Sequence, residues 1–87
     1  MKVIFLSPAV EELRDAARLY ESQARGLGDD FLSEVRAAMI EGVARRSSEA
    51  LNSSPQPISR RLVRRFPYGI LYRLENNEIL VIGVVPQ

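Results

Sequence analysis

Residues 68–85 read YGILYRLENNEILVIGVV, two apolar runs rich in β-formers on either side of Glu75-Asn76-Asn77-Glu78. Asparagine tolerates the positive φ that both central residues of a two-residue hairpin turn require, so the pattern predicts a tight hairpin joining strands over 68–75 and 79–85. Residues 79–85 are apolar apart from Gly83, which marks the second strand as the most buried of the chain, with Leu80 and Ile82 in the core. Upstream, Pro67 lacks the amide that a central ladder needs, so the strand predicted over 58–66 ends or bends there. Before it, SSEALNSSPQP over 47–57 is loop chemistry.

Two helices and a short strand precede that loop. Val3-Ile4-Phe5-Leu6 is a run of β-formers that suits a strand buried on both faces. Ser7-Pro8 then opens a helix: serine can accept from the free amides of the first turn, and proline is pre-set for the first helical position. Val10, Leu13, Ala17, Tyr20 and Ala24 recur at three- and four-residue spacing and form one apolar face. Gly26 and Gly28 stop this helix, and Asp29-Asp30 begin a second whose main stripe is Phe31, Leu32, Val35, Ala38, Met39 and Val43. The short link makes the pair an antiparallel hairpin. Ala37, Ile40 and Ala44 form a weaker stripe on another flank. Small exposed apolar residues are commonly incidental; the alternative is a seat for a partner helix. The order is β-α-α-β-β-β: an α+β fold, an antiparallel-rich four-stranded sheet with a helical hairpin on one face, whose core includes Leu13, Tyr20, Phe31, Val35 and Met39.

A chain of 87 residues is read as a single domain spanning 1–87. It has no cysteine and no histidine, which excludes a disulfide framework and thiolate chemistry and removes the usual acid/base residue and metal ligand. No metal and no cofactor are expected. The first apolar run is too short for a signal peptide or a membrane span, so the reading is cytoplasmic, with no membrane partner. The net charge of +1 hides an asymmetry: residues 58–87 carry five basic and two acidic side chains, and four of the basic ones fall in RRLVRR, residues 60–65.

The Ser-Pro-Ala helix start, the junction YESQARGLGDDFLSEV (20–35), and RRFPYGILYRLENNEILVIGVV (64–85) together resemble the ParE/RelE toxin superfamily of bacterial type II toxin–antitoxin modules, most of all its ParE, or plasmid-stabilisation, branch. The likeness spans essentially the whole chain. It implies a toxin neutralised by a cognate antitoxin, with DNA gyrase as the target and no enzymatic step. The RelE branch implies the alternative, a ribosome-dependent mRNA endonuclease acting on ribosome-bound messenger. Family members commonly continue beyond the last strand with a His-containing segment and an Arg-Pro-Trp-like tail, whereas this sequence ends Val85-Pro86-Gln87, so a third reading is a shortened, non-toxic member that still binds antitoxin.

Metal-free RNA cleavage needs a base for the ribose 2′-hydroxyl, cations for the phosphate and an acid for the leaving oxygen. Arg61 and Arg65 could be the cations and Tyr68 or Tyr72 the acid. No base accompanies them, because Lys2 is the only lysine and Glu75 and Glu78 belong to a hairpin tip. No catalytic residue is therefore assigned. Arg61, Arg64, Arg65, Ala37, Ile40 and Ala44 are instead expected to meet a partner protein. By strand alternation Arg60 and Arg64 share a face with Ile58, Leu62 and Phe66, and Arg61 and Arg65 share the other with Ser59 and Val63. The second set is expected to face solvent, and one member of the first to bond a carboxylate or helix-end carbonyls.

Overall fold

The computed structural model describes residues 2–46 and 58–87, with residues 43–46 as helical backbone alone. The elements are β1 (Lys2–Phe5), α1 (Ser7–Gln23), α2 (Leu27–Arg46), β2 (Ser59–Leu62), β3 (Tyr68–Glu75) and β4 (Glu78–Pro86), in the β-α-α-β-β-β order that the sequence predicts. The sheet order is β1-β4-β3-β2. Pairings β2/β3 and β3/β4 are antiparallel and β1/β4 is parallel, so the sheet is mixed and the helical hairpin covers one of its faces.

The β3/β4 hairpin closes on Asn76 and Asn77, at φ 51° and 60°, the conformation that suits asparagine in a two-residue turn. Its inward side is Ile70, Tyr72 and Leu74 facing Ile79, Val81 and Val84, all buried. Leu80 and Ile82 are corrections to the expected core: both are half-buried and lie outside it. Tyr72 pairs with Val81 and Leu71 with Gly83, so Ile82 is the extra residue of a β-bulge. The bulge resets the alternation, which is why Val81 and Val84, three apart, both point under the helices. Leu80 and Ile82 fall outside the core because the described elements cover only one face of the sheet. β1 is likewise an edge strand with exposed and half-buried residues, and is not buried on both faces.

Phe31, Val35 and Met39 are buried as expected, while Leu13 and Tyr20 pack against the core only partly buried. On α1 the fully buried positions are Ala9 and Ala16, which let the helix lie close to the sheet. Its N-cap is Leu6, without a side-chain cap bond, so Ser7 is the first helical residue and not the cap. Glu12, in the second turn of α1, accepts a hydrogen bond from the Val84 N–H at 3.0 Å. That amide belongs to the stretch of β4 beyond the end of β1, so a helix carboxylate satisfies an edge donor that has no strand beside it.

The helix junction is built by another carboxylate. The Ala24 N–H still bonds Tyr20 C=O, Gly26 turns the chain at φ 84°, and α2 begins at Leu27, two residues earlier than Asp29-Asp30 suggested. Glu21, in the last turn of α1, accepts from the Gly26 N–H at 3.0 and 3.2 Å and from the Gly28 N–H at 3.0 Å. It thereby caps the positive end of the following helix. Glu21→Ala should lower unfolding free energy by about 1 kcal/mol in urea titration, with Glu21→Gln recovering part of it. An unchanged midpoint would show that the cap contributes nothing.

The strand expected over 58–66 is only Ser59–Leu62; residues 64–67 form a turn. The 47–57 loop expectation lies outside the described residues.

Candidate functional site

β2 and the turn after it carry the arginine run against the middle of α2. Register places Arg61 opposite Ile70 and Arg60 opposite Leu71, so Arg61 is on the helix side and Arg60 on the open side of the sheet. This reverses the expected faces. Ile58 and Leu62, whose apolar character suggested an inward face, are 58% and 56% exposed. The expected inward arginine bonded to a carboxylate does exist, but it is Arg61: its Nη2 donates to Glu41 Oε2 at 2.8 Å. Arg61 is only 19% exposed, so this charge-assisted bond is the strongest polar tie between sheet and helix on this flank.

Arg64 and Arg65 fall in the turn, where strand alternation no longer applies. Arg64 lies 3.8 Å from Glu41, and Arg65 lies 3.7 Å from both Asp30 and Glu34. Arg65 also has φ 72°, a left-handed conformation costly for a side chain with a Cβ, and its guanidinium sits 5.6 Å from the centre of the Phe66 ring. That backbone kink sends Phe66 inward. Phe66 meets Tyr20 and Phe31 edge-on at 4.7 and 5.2 Å between ring centres, and Tyr68 meets Phe31 at 5.3 Å. Phe66 and Tyr68 thus rivet the turn to the helical hairpin, with the arginines as an outer ionic seam. Exposed pairs at 3.7–3.8 Å contribute only about 0–1 kcal/mol each, so the aromatic contacts dominate.

The seam answers what the arginines face. Each of Arg61, Arg64 and Arg65 has an α2 carboxylate beside it, so the positive field implied by RRLVRR is largely neutralised within the fold. Among the described residues Arg60 alone of the four has no ionic partner. Arg64 and Arg65 remain 79% and 59% exposed and can exchange their carboxylates for those of a partner.

Tyr72 is 2% exposed, with its hydroxyl beneath α2 near Gly42, where an added Cβ would lie 3.9 Å away. Tyr68 is half-buried in the aromatic cluster. Burial raises the Tyr20 phenol above its ordinary pKa, and the neighbouring Tyr68 adds to the effect. Lys2 is on β1, the sheet edge opposite β2, with two strands between it and the arginines. Among the described residues no group of acidic side chains is arranged to hold a metal ion.

The weaker α2 stripe divides. Ala37 lines a cleft of about 220 Å³ with Glu34, Glu41, Arg61, Leu62 and Arg64. Ile40, 62% exposed, lines a different groove of about 330 Å³ with Val3, Phe5, Leu13, Leu32 and Met39, and Arg36 at its rim. The side chain of Ala44 lies outside the described residues. Sequence reasoning missed the second groove; the available signal was that Leu32 and Ile40 make the apolar surface of α2 wider than one covered face requires.

No helix among the described residues is long and apolar enough to cross a membrane. No family model matches the sequence, and no curated protein matches it. The fold is similar to a chain of the chromosomal ParDE TA system from P. aeruginosa, with a TM-score of 0.62 and 16% identity over 99% of this chain and 95% of that one. At that identity the likeness establishes the fold.

Proposed function

We propose that this chain is the toxin of a type II toxin–antitoxin module, a ParE-like protein that acts in the cytoplasm by binding DNA gyrase, carries out no chemistry of its own, and is silenced by a cognate antitoxin. The observation that carries the reading is the match over nearly the full length of both chains to a member of a ParDE system. The site supports a binding role over a nuclease role. A guanidinium cannot take up a proton near neutral pH, Tyr72 is buried, and the sole lysine is across the sheet from the arginines. The antitoxin lies along the exposed ridge of α2, where Arg36, Ala37 and Ile40 lead from the arginine cleft to the apolar groove. Its carboxylates meet Arg64 and Arg65, which sets association rate, while apolar burial supplies most of the affinity.

Induced expression in a host without antitoxin tests this, with growth, plasmid supercoiling and mRNA integrity followed together. The expected result is growth arrest with altered supercoiling and intact mRNA on programmed ribosomes. Cleavage of mRNA that Tyr68→Phe abolishes in a folded protein would establish the RelE-like nuclease instead. Absence of any arrest, with antitoxin still bound, would establish a non-toxic scaffold.

A further inference from the structure

The helices bury Ile70, Tyr72, Leu74, Ile79, Val81 and Val84 on one face of the sheet. On the other face, register and alternation place Ile4 beside Leu80, with Leu71, Ile82 and Val85 around them, all half-buried. A sheet face that meets water carries polar residues at alternate positions. Here those positions are apolar through the middle of β1, β3 and β4, which is the composition of strands covered on both sides. No described element packs over them.

Two unpaired charges of opposite sign stand at the two ends of this apolar stretch. Arg60 lies flat across Gly69, where an added Cβ would come within 2.9 Å of its Nε. Glu78 is at the hairpin end beside Glu75, on the same open face because its neighbour Ile79 is buried beneath the helices. Glu75 is neutralised by Arg73 at 2.9 Å, whereas Arg60 and Glu78 have no ionic partner among the described residues, and Lys2, in register with Glu78 on β1, makes no ion pair with it. Gly69 and Glu75 are about 20 Å apart along β3. Turning a second copy about a two-fold axis that lies across the strands, midway along β3, sets the two open faces together with the strands reversed. Apolar middle then meets apolar middle, and each Arg60 comes over Glu78 of the other copy. One sign of charge at both ends would oppose such a pair; opposite signs at opposite ends complement it. We propose that the open sheet face is where two copies of this chain pair, burying Ile4, Leu71, Leu80, Ile82 and Val85 between two Arg60–Glu78 ion pairs. Four strands at about 4.8 Å spacing and eight residues of β3 at about 3.3 Å each give a face of roughly 19 by 26 Å, the small end of specific interfaces, so the dimer is reversible and not obligate. The proposal rests on the sheet and not on the toxin reading, and it leaves α2 with its cleft and groove on the outside of the dimer.

Sedimentation of the full chain over a concentration series tests this, with NMR shifts recorded on the same dilutions. The expected result is a monomer–dimer equilibrium in which Leu71, Leu80, Ile82 and Val85 shift with concentration while Leu32 and Ile40, on the helix side, do not. Arg60→Glu and Glu78→Arg should each weaken dimerisation about tenfold or more, because each places like charges together at both ends. An equimolar mixture of the two variants should dimerise again, a recovery that loss of folding cannot mimic. Leu80→Lys should abolish the dimer, with circular dichroism checking that the fold is kept. A chain that stays monomeric up to about 1 mM would overturn the proposal. So would a dimer whose shifts fall on Leu32 and Ile40, a mixture of the charge variants that fails to recover, or species that grow beyond the dimer, which would mean a contact that does not close on a two-fold axis. Neither toxicity nor antitoxin enters the measurement, so failed growth arrest with a dimer of this kind sinks only the toxin reading, and the converse sinks only this one.

Discussion

Phe66→Ala should lower the unfolding free energy by about 3–5 kcal/mol, the range for emptying a buried phenylalanine site. Phe66 is 7% exposed and touches Tyr20 and Phe31 edge-on, so its removal takes away both apolar burial and two ring contacts. A domain of this size has a total stability of roughly 4–13 kcal/mol, so the variant should be largely unfolded or close to it at 37 °C. The effect should reach beyond stability. With the rivet gone, Arg64 and Arg65 lose their position over α2, so, on the proposed toxin reading, association with an antitoxin should slow even where low temperature keeps the fold. Urea unfolding and stopped-flow association check the two parts; a loss under about 1 kcal/mol would mean that the ionic seam, not the aromatic cluster, fastens the turn.

Gly28→Ala should be nearly as damaging, against the trend that alanine is the better helix former by about 1 kcal/mol. An added Cβ at Gly28 would lie 2.6 Å from the Ala17 carbonyl oxygen, a backbone atom of the other helix, and 3.1 Å from the Glu21 side chain that caps α2. Neither can yield without parting the helical hairpin, so the net cost should be on the order of 2–3 kcal/mol. Gly26→Ala is the informative control. Gly26 has no atom within 4 Å of its would-be Cβ but sits at φ 84°, so its cost is local conformational strain of about 1 kcal/mol. Equal losses at the two positions would refute the close-approach explanation.

The element order, the Asn76-Asn77 turn and the Phe31, Val35, Ala38 and Met39 part of the main α2 stripe were determined by local chemistry: positive φ at the turn, apolar spacing along the helix, and glycines between the helices; Leu32, counted in the same stripe, is 39% exposed. These depend on neighbours within a few residues, and the sequence states them directly. Which side of the sheet is inside was not local. Leu80 and Ile82 look as buried as Ile79 and Val81 until a bulge opposite Leu71 and Tyr72 resets the alternation, and until it is known that the helices cover one face. The arginine run failed for the same reason. Alternation counted through residues 60–65 assumes a strand that in fact ends at Leu62, and the carboxylates that meet the arginines come from α2, 20 or more residues away in the chain. Charge, periodicity and turn residues are therefore properties of the sequence. The partner of each charge is decided by which distant elements the fold brings alongside, because ion pairing acts across space and leaves no period along the chain.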